Sequence, residues 1–240
     1  MRHDVRPDPA YRFRQRDPAE YRDADLNPYL KAHLAFGPPV LTAAEASAGR
    51  GRWPDVFGRA APLHVEVGCG SGSFLTGMAK LHPAWNWLGL EIRFKRVVLT
   101  ARRILRERAS HAMIARYDAF WMDDLFSDGE VAGLYVNHPD PWPKPREARN
   151  RLLAKPFAES AARLLAPGAH LRVKTDSPAY VEGILAALDG LPFEGIGRTD
   201  DVAATGPPWP ADDDVVTPYQ RRSAERGTPV RAVWIRRTSA

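Results

Sequence analysis

Residues able to do chemistry gather where the apolar run VAGLYV (131–136) breaks off. From Tyr135 to Arg151 the chain reads YVNHPDPWPKPREARNR, so Pro-Asp-Pro-Trp-Pro follows the run and cations follow the prolines. Proline fixes φ and removes a backbone donor, so this segment can neither extend a strand nor enter a helix directly. It is predicted to be a stiff loop that holds Asp140 and Trp142 in set directions. A carboxylate accepts hydrogen bonds from amino and imino edges and can thereby orient a base. A simple turn-forming role for Asp140 is redundant beside two prolines that already specify the turn. The Trp142 indole offers a face for base stacking, worth roughly 1–3 kcal/mol per base, or packs as a lid or core residue. Lys144, Arg146, Arg149 and Arg151 come next and suit a phosphate track beside a nucleic-acid site.

A second constellation is Glu66-Val-Gly68-Cys-Gly70-Ser-Gly72, which closes the apolar run LHVEV (63–67). Glycines at alternate positions permit positive φ and let a ligand approach the backbone. Glu91 ends the next apolar run about 20 residues on, where an acid can hold ribose hydroxyls. Both NAD and S-adenosylmethionine fit these features. A dinucleotide fingerprint, however, places its third glycine where this chain has Ser73. Glu66 would also repel a pyrophosphate, while it suits the sulfonium and amino group of S-adenosylmethionine. The cofactor reading is therefore S-adenosylmethionine. Asp118, after the third apolar run, either accepts the adenine amino group or caps the helical residues that follow. Cys69 reads as a small packing residue in the glycine loop. His138 has no partner at metal-ligand spacing, and no metal is expected.

The elements that must position these groups alternate. Strands are predicted at 63–67, 86–91, 111–116, 131–136, 170–175 and 230–237. Helices are predicted at 73–82, 94–109, 150–166 and about 178–189, with Pro167-Gly168 stopping the third. Thr42-Ala-Ala-Glu45 has the form of a capping box. Repeated strand–helix units imply a mostly parallel α/β sheet covered on both faces. Ligands in such sheets bind beyond the carboxyl ends of the strands, where the winding reverses. Gly68–Gly72, Glu91, Asp118 and Asp140 each stand at such an end. Residues 1–28 are read as a flexible basic arm, 29–61 as a helical or extended lead-in, and 62–240 as the catalytic domain.

Composition narrows the class. The 240 residues, 44% hydrophobic and 26% charged, suit one large globular domain. A single cysteine excludes an intrachain disulfide framework and a cysteine-rich zinc site. No run reaches the length of a membrane span, and the Arg- and Asp-rich start lacks a signal-peptide apolar segment. A cytoplasmic protein with no membrane association is expected. The formal charge of +5 favours a polyanionic partner without specifying one.

Taken together, VEVGCGSG, GLEI, PDPWPK with its trailing cations, KTD (174–176) and Thr217-Pro-Tyr-Gln220 resemble the bacterial tRNA (guanine-N7-)-methyltransferase family. The likeness runs over about residues 60–235, and PDPWPK is its most specific element. It implies a Rossmann-like class I methyltransferase fold, doubly wound around a seven-stranded sheet. It also implies transfer of a methyl group from S-adenosylmethionine to N7 of a guanosine at position 46 in the tRNA variable loop. By this resemblance Glu66, Gly68, Gly70, Gly72, Glu91, Asp118 and Asp140 contact the cofactor, and Asp140 is the catalytic residue. Lys144, Arg146, Arg149, Arg151, Asp176, Thr217 and Gln220 bind substrate. Gln220 departs from the family, which has glutamate there; the amide keeps hydrogen-bonding capacity and loses the charge. The partner is tRNA, no obligate protein partner is implied, and the protein is expected as monomer or homodimer. Two other readings use the same residues. One is a methyltransferase of an exocyclic amine on another RNA or a protein, whose Asn-Pro-Pro-Tyr loop neither Asn137 nor Asp140 begins. The other is a non-catalytic RNA-binding relative.

Overall fold

A computed structural model describes residues 27–142, 144, 146 and 150–239. Almost all of the predicted N-terminal arm, and Arg149, lie outside the described residues. Eight strands form one sheet: β1 (Val40–Leu41), β2 (Leu63–Val67), β3 (Asn86–Glu91), β4 (Ala112–Arg116), β5 (Val131–Asn137), β6 (Leu165–Thr175), β7 (Phe193–Thr199) and β8 (Arg231–Arg237). Their spatial order is β1-β4-β3-β2-β5-β6-β8-β7. All pairs from β1 to β6 are parallel, and β8 runs antiparallel to both β6 and β7.

The helices among the described residues are α1 (Pro28–Ala35), α2 (Ala43–Ala48), α3 (Trp53–Phe57), α4 (Ser73–Leu81), α5 (Phe94–Glu107), α6 (Lys155–Leu164), α7 (Pro178–Leu188), α8 (Val202–Thr205) and α9 (Pro218–Glu225). Strand side chains alternate between faces, and the two main apolar clusters follow that period. Val65, Leu88, Leu90, Leu134 and Val136 pack with Phe157, Ala161, Val181 and Ile184 from α6 and α7. Trp87, Ile114 and Tyr135 turn the other way, onto Phe74, Leu75 and Met78 of α4 and Val97, Ala101 and Ile104 of α5. The central strands are thus apolar on both faces, as a helix-covered parallel sheet requires. None of these helices is long and apolar enough to cross a membrane.

The sheet has one strand more than the expected seven, because Val40–Leu41 adds an edge beside β4. The stretch 29–61 is therefore partly built into the sheet, and its capping box is present: Glu45 N donates to Thr42 Oγ1 at 3.1 Å and Thr42 N to Glu45 Oε2 at 2.8 Å. Helix α6 also ends earlier than the spacing suggested. Leu165 and Ala166 already belong to β6, and Pro167-Gly168 sit where the β5–β6 register shifts. Pro167 is tolerated there because a bulge needs no ladder hydrogen bond from it.

Candidate active site

The chain winds from β2 through β3 to β4 on one side of the sheet and from β5 to β6 on the other, so the reversal falls between β2 and β5. A cavity of ≈ 790 Å³ opens at the carboxyl ends of these strands. Glu66, Gly68, Gly70, Glu91, Asp118, Asp140 and Trp142 all line it. The residues proposed to hold cofactor thus share one cleft, with the single exception of Gly72.

The floor is the glycine loop. Gly68 and Gly70 have φ of +70° and +58°, and a Cβ added at either would meet nothing closer than 4.0 Å. Open space and left-handed backbone at the same two positions suit a ligand lying against the main chain. Gly72 differs: a Cβ there would strike Thr100 Cγ2 of α5 at 2.7 Å. It allows helix α4 to approach α5 and lies outside the cavity lining.

Two carboxylates flank this floor. Glu66 is 2% exposed, and Asn137 Nδ2 donates to its Oε1 at 3.1 Å. Its Oε2 is buried with no hydrogen-bond partner. Burial pushes this carboxyl up to about 7, only partly opposed by the Asn137 bond. An unpartnered buried oxygen beside open glycine backbone fits the cationic amino-acid end of S-adenosylmethionine. Glu91 accepts from Gly70 N at 3.1 Å through Oε2 and from Ile92 N and Arg93 N at 2.8 and 2.9 Å through Oε1. Burial raises this carboxyl and those amides hold it down. An ionised carboxylate has about four acceptor sites, so three amides leave room for a ribose hydroxyl. Asp118 caps a 3-10 turn by accepting from Phe120 N at 3.2 Å, and it also lines the cavity. Burial pushes the Cys69 thiol up, which keeps it protonated and unreactive.

Across the cavity stands the proline loop. Asp140 is bracketed by two non-glycine residues in the left-handed region, His138 (φ 52°) and Trp142 (φ 38°). Strain of this kind is kept only where the surroundings hold it. The braces are visible: Tyr180 OH donates to Asp140 O at 2.5 Å, and Arg151 Nε to Trp142 O at 3.0 Å. The Asp140 carboxylate itself is held loosely. Its one ion pair among the described residues, to Arg93 Nη2 at 3.3 Å, joins side chains 63% and 66% exposed. Pairs this exposed are worth little and are readily exchanged for another donor. Lys144 and Arg146 are exposed and lie beyond the cavity lining.

The remaining expected substrate residues divide. Thr217 lines the cavity and also caps α9, its Oγ1 accepting from Gln220 N at 3.0 Å. Asp176 Oδ2 accepts from Tyr219 OH at 2.7 Å. Gln220 is 7% exposed and outside the cavity lining, with Lys174 Nζ donating to its Oε1 at 3.0 Å. Lys174 also reaches Asp214 Oδ1 and Oδ2 at 2.6 and 2.7 Å, and burial lowers its pKa against that pairing. This buried cluster ties the loop before α9, and α9 itself, to β6. Arg93 and Tyr180 escaped sequence reasoning, and only Arg93, two residues past the strand-ending Glu91, carried a local signal; Lys174 and Tyr219 stood inside the KTD and Thr-Pro-Tyr-Gln motifs without roles of their own.

With this geometry in view, comparison with known proteins is specific. A family model described as "Putative methyltransferase" matches residues 60–230. A tRNA (guanine-N(7)-)-methyltransferase of Limosilactobacillus fermentum is 35% identical over 205 residues, covering 85% of this chain and 91% of that protein. One from Geobacillus kaustophilus is 32% identical over 203 residues, with the same shares covered. Among solved structures, the 16S rRNA methyltransferase KamB superposes with a TM-score of 0.58 at 14% identity, covering 79% of this chain and 94% of that one. That last likeness concerns the fold, whereas the first three set the lineage. The chain belongs to the tRNA (guanine-N(7)-)-methyltransferase family.

Proposed function

We propose that this protein methylates N7 of a guanosine in the variable loop of tRNA, at position 46, with S-adenosylmethionine as donor. The observation that carries the reading is the meeting of Glu66, Glu91, Asp118 and Asp140, from four strand ends, around one cavity floored by Gly68 and Gly70. Family membership supplies the reaction class.

When bound, S-adenosylmethionine supplies an electrophilic methyl group on a sulfonium. Guanine N7 carries a lone pair and no proton, so none of the chain's residues has to act as a base. Their work is positioning and charge stabilisation. Glu66 takes the cationic amino-acid end, and Glu91 takes the ribose hydroxyls while its backbone donors fix its rotamer. Asp140 exchanges Arg93 for the amino and imino edge of guanine and stabilises the positive charge that grows on the purine. Lys144, Arg146 and Arg151 follow the RNA backbone, with Arg149 assigned to the same track from sequence.

Incubation with labelled S-adenosylmethionine and unmodified tRNA, followed by nucleoside analysis and nuclease mapping, tests this. The expected product is 7-methylguanosine at position 46. A methyl group on an exocyclic amine, or tRNA binding without transfer, would overturn it.

A further inference from the structure

The formal charge of +5 is distributed unevenly along the chain. Residues 93–108, which are α5 with its two caps, hold seven cations against the single acid Glu107. That is a net +6, so the remaining residues together sum to −1. The excess belongs to one helix. Its apolar side is buried through Val97, Val98, Ala101 and Ile104. Lys95, Arg102 and Arg106 share the opposite side at helical spacing, and all three are exposed. Arg96 and Arg103 flank the glycine loop: Arg96 lines the cavity, and Arg103 Nε donates to Ser71 O at 3.0 Å. The charged face begins at the cavity mouth and runs outward for about 20 Å, at about 1.5 Å per residue.

Helix stability does not account for this face. A solvated helix face ordinarily alternates its signs, so that residues three or four apart attract. Arg102 and Arg106 are four apart and repel. Lys95 and Arg96 occupy the first turn, which holds no acid and where the helix dipole disfavours cations. Glu107 is already shared by Lys80, Arg103 and Arg106 at 3.0, 3.3 and 3.2 Å. Lys95, Arg96 and Arg102 make no ion pair among the described residues. Lys95 lies over the Tyr29 ring at 5.4 Å, a contact that orients the ammonium and leaves its charge uncancelled. Charge of one sign, kept where helix energetics opposes it and continuous with the cavity, fits a polyanion.

We propose that the outward face of α5 is a docking surface for the sugar–phosphate backbone of the RNA substrate, outside the nucleotide that enters the cavity. The inference rests on the reading of the cavity as an RNA methyltransferase site and deepens it. Helix α5 packs beside β3 and β4, whereas Lys144, Arg146 and Arg151 follow β5. The tRNA is then gripped by two separate basic surfaces, one on each side of the reacting guanosine.

The test compares the full chain with one variant carrying Lys95→Gln, Arg102→Gln and Arg106→Gln. A control carrying Arg50→Gln, Arg52→Gln and Arg59→Gln loses the same charge near the amino ends of β3 and β5, where Asn86 Nδ2 donates to Arg59 O and Gly51 N to Glu130 Oε2. Filter binding of unmodified tRNA across a salt series gives Kd and its salt slope. The α5 variant is expected to weaken Kd about 10- to 100-fold near about 0.15 M salt and to flatten the slope of log K against log salt by about two to three. The control should shift Kd by less than about threefold. In the α5 variant, kcat at saturating tRNA and the Kd for S-adenosylmethionine should match the parent. Its thermal unfolding should not fall, because glutamine relieves like-charge repulsion. An unchanged slope in the α5 variant, or equal weakening in the control, would overturn the surface. Binding to phosphatidylserine vesicles that falls in the α5 variant while tRNA binding stays would assign the face to lipid and overturn it as well. Product analysis separates the two readings. A flattened slope with the methyl group on another atom would keep the surface and sink the N7 assignment, and 7-methylguanosine with an unaltered slope would do the reverse.

Discussion

On the β2–β3 side of the cavity, Glu66 is 2% exposed and Glu91 already accepts three backbone amides. On the β5–β6 side, Asp140 stands 63% exposed against an Arg93 that is 66% exposed. The contrast fits the proposed division of the cavity between a small cofactor and an RNA. A small cofactor must find its hydrogen-bonding partners in place and dry, because it brings too little surface to organise them. An RNA covers a large area, excludes water as it docks and brings phosphates of its own. The acceptor side can therefore be loosely paired when empty, provided its backbone is rigid. Pro139, Pro141 and the Tyr180 and Arg151 braces meet that requirement.

The difference can be broken most forcefully from beneath the acceptor wall. Lys174 is 1% exposed and Asp214 6% at their ion pair. Lys174→Met leaves the Asp214 carboxylate buried without its cation and should cost about 3–5 kcal/mol in chemical denaturation. A loss below about 1 kcal/mol would mean that α9 is anchored otherwise. Asp140→Ala should lower kcat roughly 10²- to 10³-fold, with thermal unfolding unaltered because the side chain is largely in solvent. Near-normal turnover by the folded variant would remove Asp140 from the chemistry.

Titration sharpens the cofactor side. Burial lifts Glu66 from 4.5 to about 7, so the folded chain holds this proton more tightly than the unfolded chain does. Its contribution to stability is complete below about pH 4.5 and fades as the pH rises through about 7. The ionised form is the one that attracts a cationic ligand. The Kd for S-adenosylmethionine should therefore tighten between about pH 6 and about pH 8, and Glu66→Gln should flatten that profile. An identical pH profile in the variant would remove Glu66 from cofactor binding. The smallest effect belongs to the exposed track. Lys144→Ala with Arg146→Ala should weaken tRNA binding and reduce its salt slope by about one to two, leaving cofactor affinity unchanged.

Much of the cofactor side was legible because its signals are local. Strands β2 and β3 are continuous apolar runs, and the glycines and acids lie at their ends, within a few residues of the features that give them meaning. The acceptor side was legible only where proline punctuated it. Tyr219 and Gln220 are neighbours on α9, yet the first is exposed and the second buried. Nothing in Thr-Pro-Tyr-Gln reports that Lys174, 46 residues away, donates to the amide oxygen. Strand β7 escaped for a related reason. FEGIGRT is an edge strand with two glycines and little burial, so its pairing with β8 supplies the order that its composition does not. Strand β1 is two residues long and follows Pro38-Pro39, which masks any strand period.

Binding of S-adenosylmethionine in the absence of RNA tests the division most directly. Calorimetry on the parent chain and on one variant carrying Lys144→Ala, Arg146→Ala and Tyr219→Ala should return the same Kd. A Kd weakened about tenfold or more in the folded variant would show that the two walls form one interdependent site, and would contradict the account.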